Sequence, residues 1–451
     1  MSEIRDHAPA KRVLIVSPSF PPMNAADMQR VRMSLPHYRE NGWQPVVLAI
    51  APRDHGGPRE DDLLATVPAG IDVYQCGAFS KRWSRWFGVG NLGLRSWAYL
   101  FVAGARILRR EKIDLVFFSN TQFVTFTLGR IWQWIFDVPY VIDLQDPWRT
   151  DFYLGARKKD RPGGWKYSFA QAQAKLLEGW SFRRMSGLIS VSQYYIDDLR
   201  QRYRWFSGVP AEVIGFGASE ADLVAAAKIS LPEQTDRKER IRFVYTGVAG
   251  PVMQPALTVL FDGLNAYRKN SPSLSRLRLE FSGTSYAGPE AATPSITPVA
   301  HLVDCDDLVS ETPTRLGHLQ ALHQQLSADV LLLLGSSDPA YSPSKLYPYF
   351  LSGRPILAVV ASGSILEELL RELCCAVVVA FNPSGPDDRT RDQLAAFFTN
   401  ALAGFPPGSL PTRNEALFRQ EYLAESLTKR QCALFDRALP NLNGIDKENH
   451  V

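Results

Sequence analysis

The chain has 451 residues, enough for two or three average domains, and at 45% hydrophobic and 21% charged it can bury a core in each. Its five cysteines, Cys76, Cys305, Cys374, Cys375 and Cys432, are scattered at no metal-ligand spacing, which argues against a disulfide framework or zinc site and for a reducing compartment. The net charge of +4 divides unevenly: residues 1–210 carry 29 Lys+Arg against 19 Asp+Glu and the remainder 21 against 27, so the first half is expected to face something anionic, nucleic acid or an acidic membrane surface.

The first residues, MSEIRDHAPAKR, lack the apolar core of a signal peptide. No run of about 18 uncharged apolar residues follows, so a cytoplasmic chain without a transmembrane helix is expected. RVLIVSP (12–18) reads as a buried parallel strand and is followed by the loop SFPPMNAADMQ. A helix with Val31, Leu35 and Tyr38 on one side then stops at Asn41-Gly42, and PVVLAIA (45–51) is the next strand, which completes a βαβ unit. Strands IDLVFF (113–118), PYVIDL (139–144) and GLISVS (187–192), with helical patterns TFTLGRIWQWIF and YYIDDLRQRY, repeat the scheme. The polar stretch 228–240 is the best linker. Beyond it come strands IRFVYTG (241–247), RLRLEFSG (276–283), ADVLLLL (328–334), PILAVVA (355–361) and AVVVAF (376–381). The expected organisation is α/β: a Rossmann-like domain over 10–227, a second over 240–410, helices over 411–439 and a frayed tail over 440–451.

Ligands of doubly wound sheets sit beyond the carboxyl ends of the strands, so the strand-to-helix loops are where chemistry is sought. In SPSFPPMNAADMQR (17–30), Asp27 and Arg30 either contact an acceptor or serve the start of a helix. In VIDLQDPWR (141–149), Asp143 shares a strand face with Val141, while Asp146 lies beyond the strand end. A carboxylate there could orient or deprotonate an acceptor hydroxyl; buried, Asp143 would instead be satisfied by backbone donors. Gly247 and Gly250 in YTGVAGP allow close approach of a phosphate or make an ordinary tight turn. SPSKLYPYFLSGRPILAV (342–359) is the most informative segment. Ser342 can cap a helix that Pro343 opens, its first-turn N–H groups favour an anion, and Lys345 adds a positive charge.

These segments in this order resemble glycosyltransferase family 4 over nearly the whole chain. The pieces are RVLIVSPSFPP…RVRMSLPHYRENGWQPVVLA, PYVIDLQDPW, GLISVSQYYIDDL, FVYTG and, most specifically, PSKLYPYFLSGRPILAV. The resemblance implies the GT-B architecture, two Rossmann-like domains facing each other across a cleft. It implies a nucleotide-diphosphate sugar donor on the second domain, no metal or cofactor, retention at the anomeric carbon, and C-terminal helices crossing back to the first domain. Donor contacts would fall on Gly247, Gly250, Ser344, Lys345, Leu346 and Tyr349, the catalytic carboxylate on Asp146, and acceptor contacts on Asp27, Arg30 and Asp143. Several family features are missing. Ala340 and Pro348 stand where two glutamates are common, no basic pair follows the Gly-rich turn, and Gln145 occupies the place of a frequent histidine. Tyr347 or Tyr349 is then left to hold the ribose, and Pro348 should shorten or kink its helix.

The leading reading is a glycosyltransferase acting on a lipid-linked or polysaccharide acceptor in cell-surface polysaccharide synthesis. A nucleotide-sugar epimerase and an inactive GT-B scaffold are the alternatives; no nucleic-acid motif occurs. Residues 81–112 hold eight Lys+Arg and one acid, with Trp83, Trp86, Phe87, Trp97 and Tyr99 interleaved among Arg82, Arg85 and Arg95. That mixture suits peripheral docking on an anionic membrane.

Overall fold

The computed structural model describes residues 10–82, 90–149, 165–229, 240–269, 275–285, 287–288, 290–337, 344–382 and 385–440. Ala340, Ser342, Pro343, Trp83, Arg85, Trp86, Phe87, most of the 228–240 linker and the tail from 441 on lie outside them. The chain divides into two compact units, Met1–Phe216 with Ala424–Val451, and Gly217–Leu423.

The first unit is built on a seven-stranded parallel sheet of order β3-β2-β1-β4-β5-β6-β7. The strands are β1 (Lys11–Val16), β2 (Trp43–Ile50), β3 (Asp72–Cys76), β4 (Leu115–Ser119), β5 (Tyr140–Leu144), β6 (Gly187–Ser190) and β7 (Ala211–Val213). Alternate side chains of β1 go to opposite faces. Leu14 and Val16 pack with Leu100 and Ile107 of α2 (Leu92–Arg110), Trp132 of α3 (Thr127–Phe136) and Phe182 of α4 (Trp165–Phe182). Val13 and Ile15 pack with Val31 of α1 (Gln29–Ser34) and with Leu434 and Phe435 near the chain's end. Both faces of every central strand are thus covered, as continuous apolar runs require. Between β6 and β7 runs α5 (Gln193–Arg202).

The second unit has six parallel strands in the order β10-β9-β8-β11-β12-β13. They are β8 (Ile241–Thr246), β9 (Leu277–Ser282), β10 (Val309–Thr312), β11 (Val330–Leu334), β12 (Ile356–Ala361) and β13 (Val377–Phe381). Before β8 comes α6 (Glu220–Ala227). One face of the sheet carries α7 (Gln254–Arg268) and α11 (Asp388–Leu402). The other carries α9 (Leu346–Leu351) and α10 (Ile365–Glu372), while α8 (His318–Leu326) leads into β11.

The units do not divide at the polar linker. Helix α6 lies before that linker yet belongs to the second unit, where Asp222 is 3.2 Å from His318 Nε2 and Ala226 O is 3.0 Å from His323 Nδ1 of α8. The C-terminal helices also separate. In α12 (Glu415–Glu421), Phe418 stacks on Phe350 at 4.0 Å within the second unit. In α13 (Ala424–Ala438), Phe435 meets Trp43 at 5.4 Å and Phe117 at 4.9 Å within the first. No helix among the described residues is long and apolar enough to cross a membrane.

Candidate functional site

In each sheet the order reverses at one place, between β1 and β4 in the first unit and between β8 and β11 in the second. Loops leaving those strands diverge and open a crevice where ligands bind.

In the first unit, the loop after β1 brings Asp27 to the loop after β4. Thr121 donates to Asp27 Oδ2 from its backbone N–H and its hydroxyl, both at 3.2 Å, while the buried Oδ1 has no hydrogen-bond partner. Asp27 therefore does not cap its own helix; it bridges two loops at the switch point with one oxygen to spare. Arg30 and Asp143, expected to contact an acceptor, pair with each other instead. Arg30 Nε is 2.9 Å from Asp143 Oδ2, and its Nη2 donates to Ile214 O at 2.7 Å. Asp143 is fully buried and accepts from Ser119 Oγ at 2.7 Å and Gln145 Nε2 at 2.9 Å. Side chains, not backbone donors, serve its Oδ2, and its buried Oδ1 has no hydrogen-bond partner.

Asp146 stands clear of the strand, with solvent at its side chain. Desolvation by the surrounding protein, and second the Asp27 charge, raise its carboxyl above the ordinary aspartate range. His55 is a neighbour of Asp27 that no sequence pattern singled out. Gly57 N–H donates to His55 Nδ1 at 3.1 Å, so the proton of the neutral ring sits on Nε2, 3.1 Å from Ser19 Oγ. Burial lowers its pKa, against the opposing pull of Asp27.

In the second unit, Gly247 follows β8 at φ +115° and Lys345 precedes α9. A Cβ on Gly247 would lie 3.1 Å from Lys345 Nζ. The ammonium donates to Tyr245 Oη at 2.6 Å and lies 3.9 Å above that ring. Burial lowers it to about 7. Gly250 begins the short turn before α7, and Ser344 is exposed.

Several sequence expectations change in this unit. The helix opens at Leu346, so Lys345 is its N-cap and not a first-turn residue. Six residues make a weak dipole, and the positive charge rests on the ammonium itself. Pro348 is the helix's third residue, where no intrahelical bond calls for its missing N–H, so it fits without a kink. Gly353 closes the helix at φ +72°, as expected. Leu346 and Tyr349 are core residues at 0% exposure, and Tyr349 Oη accepts from Thr246 N–H at 3.3 Å. The side chain of Leu346 packs in the core, and the Tyr349 hydroxyl holds the end of β8. Tyr347 is also buried, stacked on Tyr422 at 5.0 Å.

Part of the basic-aromatic segment faces inward. Arg95 is buried and donates to Phe79 O at 2.7 Å and Asp54 O at 2.8 Å. Trp97 donates to Thr127 Oγ1 at 2.8 Å. Tyr99, Val102, Arg106, Arg109 and Arg110 point outward on α2. The neighbouring helices extend this surface with Trp134, 85% exposed, Leu176, and Trp180 beneath Arg130. Among the described residues, no group of three His, Cys, Asp or Glu could hold a metal ion.

Residues 29–217 match the model of the glycosyl transferase 4-like domain, a span that covers most of the first unit. Solved structures resemble the whole chain. HepE of Anabaena, in complex with UDP-glucose, is 14% identical with a TM-score of 0.52, over 95% of this chain and 100% of that one. The sucrose-phosphate synthase of Thermosynechococcus elongatus is 12% identical with a TM-score of 0.53, over 95% and 98%. A UDP-forming α,α-trehalose-phosphate synthase of Burkholderia xenovorans, in complex with glucose-6-phosphate, is 10% identical with a TM-score of 0.56, over 94% and 99%. At such identities the likeness establishes the fold, which is GT-B. No curated protein matches in sequence.

Proposed function

We propose that this chain, whose first unit is a glycosyl transferase 4-like domain on a GT-B fold, moves a sugar from a nucleotide-diphosphate sugar to a lipid-linked or polysaccharide acceptor in cell-surface polysaccharide synthesis. The observation that carries the donor assignment is the Lys345 ammonium against Gly247 at the switch point of the second sheet. A glycine without Cβ lets the diphosphate come close, and the cation balances the charge that grows on it as the glycosidic bond breaks. Gly250 and Ser344 are assigned to the same donor site, as the family resemblance implies. The family's glutamates and basic pair are missing, so Lys345 carries a larger share of that work.

Acceptor chemistry is assigned to Asp146, with Asp27 beside it. As the acceptor oxygen bonds to the anomeric carbon and the leaving diphosphate departs, the hydroxyl proton passes to Asp146 or to a diphosphate oxygen on the same face, with retention. A carboxylate raised toward neutrality is a better base than an ordinary one. Lysine and backbone donors supply the positive charge, and the transfer is proposed to need no metal or cofactor. The outward face of α2, with α3 and α4, is proposed to rest on an anionic membrane, which would place the chain at the inner face of the plasma membrane. Exposed Trp134 and Trp180 among arginines suit the headgroup region.

Calorimetric titration with UDP, GDP and ADP tests the donor half. At least one should bind, and Lys345→Ala should weaken that binding by about 1.5–3 kcal/mol, the range for a hydrogen bond to a charged group. Equal affinity in the variant would remove the site. Binding without turnover of any nucleotide sugar would favour a scaffold over an enzyme.

A further inference from the structure

We infer that Glu178 is a positioning residue that clamps the loop carrying Asp146, so that this carboxylate is presented to the acceptor at a fixed place. The inference rests on the proposed role of Asp146. Glu178 lies on α4, is 1% exposed, and uses both carboxylate oxygens. Oε2 accepts the backbone N–H of Arg149 at 3.1 Å. Oε1 accepts Arg202 Nη1 at 2.5 Å and Tyr203 Oη at 3.0 Å from the end of α5. One residue thus ties the segment after β5 to α4 and α5.

The other end of that segment is held as firmly. Gln145 Nε2, with two hydrogens, lies within hydrogen-bond distance of Asp27 O at 3.0 Å, Ser119 Oγ at 3.1 Å and Asp143 Oδ2 at 2.9 Å. Between the two anchors, Trp148 packs against Phe123 at 5.8 Å, Phe126 at 5.9 Å and Phe182 at 6.1 Å. Phe182 follows Glu178 by one helical turn, so a single face of α4 supplies both the aromatic seat and the carboxylate. Among contacts of the described residues, Asp146 and Pro147 have no anchor of this kind. If α4 needed only packing at position 178, an apolar side chain would do, because a buried ion pair is weak evidence for stability. A carboxylate that accepts on two sides at once does something an apolar residue cannot: it fixes one loop with respect to two helices.

Glu178→Gln separates positioning from stability. An amide has one acceptor oxygen, so it cannot serve Arg149 and Arg202 together. Amide hydrogen exchange over 145–149 should speed up about 10–100-fold in the variant, the effect of losing a hydrogen bond to a charged group. Release of nucleoside diphosphate, assayed with the fastest-hydrolysed member of a panel of UDP-, GDP- and ADP-sugars, should fall about tenfold or more, as for a base displaced by an ångström or so. The acid limb of its pH profile should move to lower pH as Asp146 moves away from the surrounding protein and from Asp27. Calorimetric affinity for the nucleoside diphosphate should not change. Tyr203→Phe removes one donor from Oε1 and the hydrogen bond of Tyr203 with the Arg149 side chain but keeps the bond from Arg149 N–H to Oε2, so exchange over 145–149 should rise less than in Glu178→Gln. Should Glu178→Gln unfold, Arg202→Lys, which keeps the charge, loosens the same clamp and should shift the acid limb in the same direction. If Asp146→Asn abolishes release while Glu178→Gln leaves exchange, rate and pH limb unchanged, the clamp is refuted and the role of Asp146 stands. If Asp146→Asn retains full release, the role of Asp146 fails first.

Discussion

Lys345 makes nucleotide binding a pH-dependent event with a defined sign. Its ammonium is lowered to about 7 by burial, so near neutrality roughly half the free protein carries an uncharged amine at the donor half-site. A diphosphate favours the charged form, and binding above that pH must therefore take up a proton. About three-quarters of the lysine is charged at pH 6.5 and about 3% at pH 8.5, so affinity should fall about 25-fold between them. Calorimetry at pH 8.5 in two buffers of different ionisation enthalpy should register an uptake of about one proton. In Lys345→Met the uptake should vanish, and the affinity at pH 6.5 should fall by about 1.5–3 kcal/mol. The same group acts on stability. Its folded value lies below the unfolded one, so the cost of holding the charge is full below pH about 7 and fades as pH rises toward the ordinary lysine value. Lys345→Met should therefore raise Tm more at pH 6 than at pH 9. Equal proton uptake by wild type and variant would contradict this role of Lys345, because the titrating group would then lie on the nucleotide or elsewhere in the protein.

Asp146→Asn should lower turnover by about 10²–10⁴, the range for loss of a general base, with nucleoside-diphosphate affinity unchanged; near-normal turnover would make Asp146 a loop residue. Because the Asp146 carboxyl is raised in the fold, its ionisation is unfavourable to folding, present at neutral pH and relieved on acidification. The variant should accordingly melt higher than wild type at pH 7 and match it below the ordinary aspartate range. Gly247→Ala should weaken nucleotide binding, since the added Cβ would sit 3.1 Å from Lys345 Nζ at a φ of +115° that a side chain tolerates poorly; a full-affinity alanine variant would show that the close approach is not used. Sedimentation with liposomes should bring the protein down with anionic lipid, less so in high salt and less again in Trp134→Ala with Arg106→Ala; protein left in the supernatant under all conditions would remove the membrane face.

The buried strands were legible because both their faces are covered, and continuous runs such as LVFF and VLLLL have no other use in a parallel sheet. The strands that escaped notice are β3, β7 and β10, each at an edge of its sheet. Asp72–Cys76, Ala211–Val213 and Val309–Thr312 are short and half in solvent, so neither alternation nor an apolar run marks them. The boundary between units departs from the polar linker for a related reason. A polar, patternless stretch reads as a linker wherever it lies, whereas α6 joins the second unit through His318 and His323, which only the fold brings near it.

Site residues were legible as loop positions but not as partners. Asp27, Arg30, Asp143 and Asp146 all read as polar residues at strand ends. The sequence does not show that Arg30 and Asp143 pair inside the sheet, or that Asp27 and Asp143 each keep one buried oxygen without a hydrogen bond. His55 and Glu178 carry no motif at all. Their place in the account comes from neighbours 36 and 29 positions away, Ser19 and Arg149.

The central claim is that this chain consumes a nucleotide-diphosphate sugar. Purified protein should be incubated with UDP-, GDP- and ADP-linked sugars, with and without anionic liposomes carrying bacterial lipid extract, and the released nucleoside diphosphate measured in parallel with Lys345→Ala. Release from at least one donor, stimulated by the extract, undiminished by EDTA and lost in the variant, is the expected result. No release from any donor under any of these conditions, with the protein folded, would contradict it.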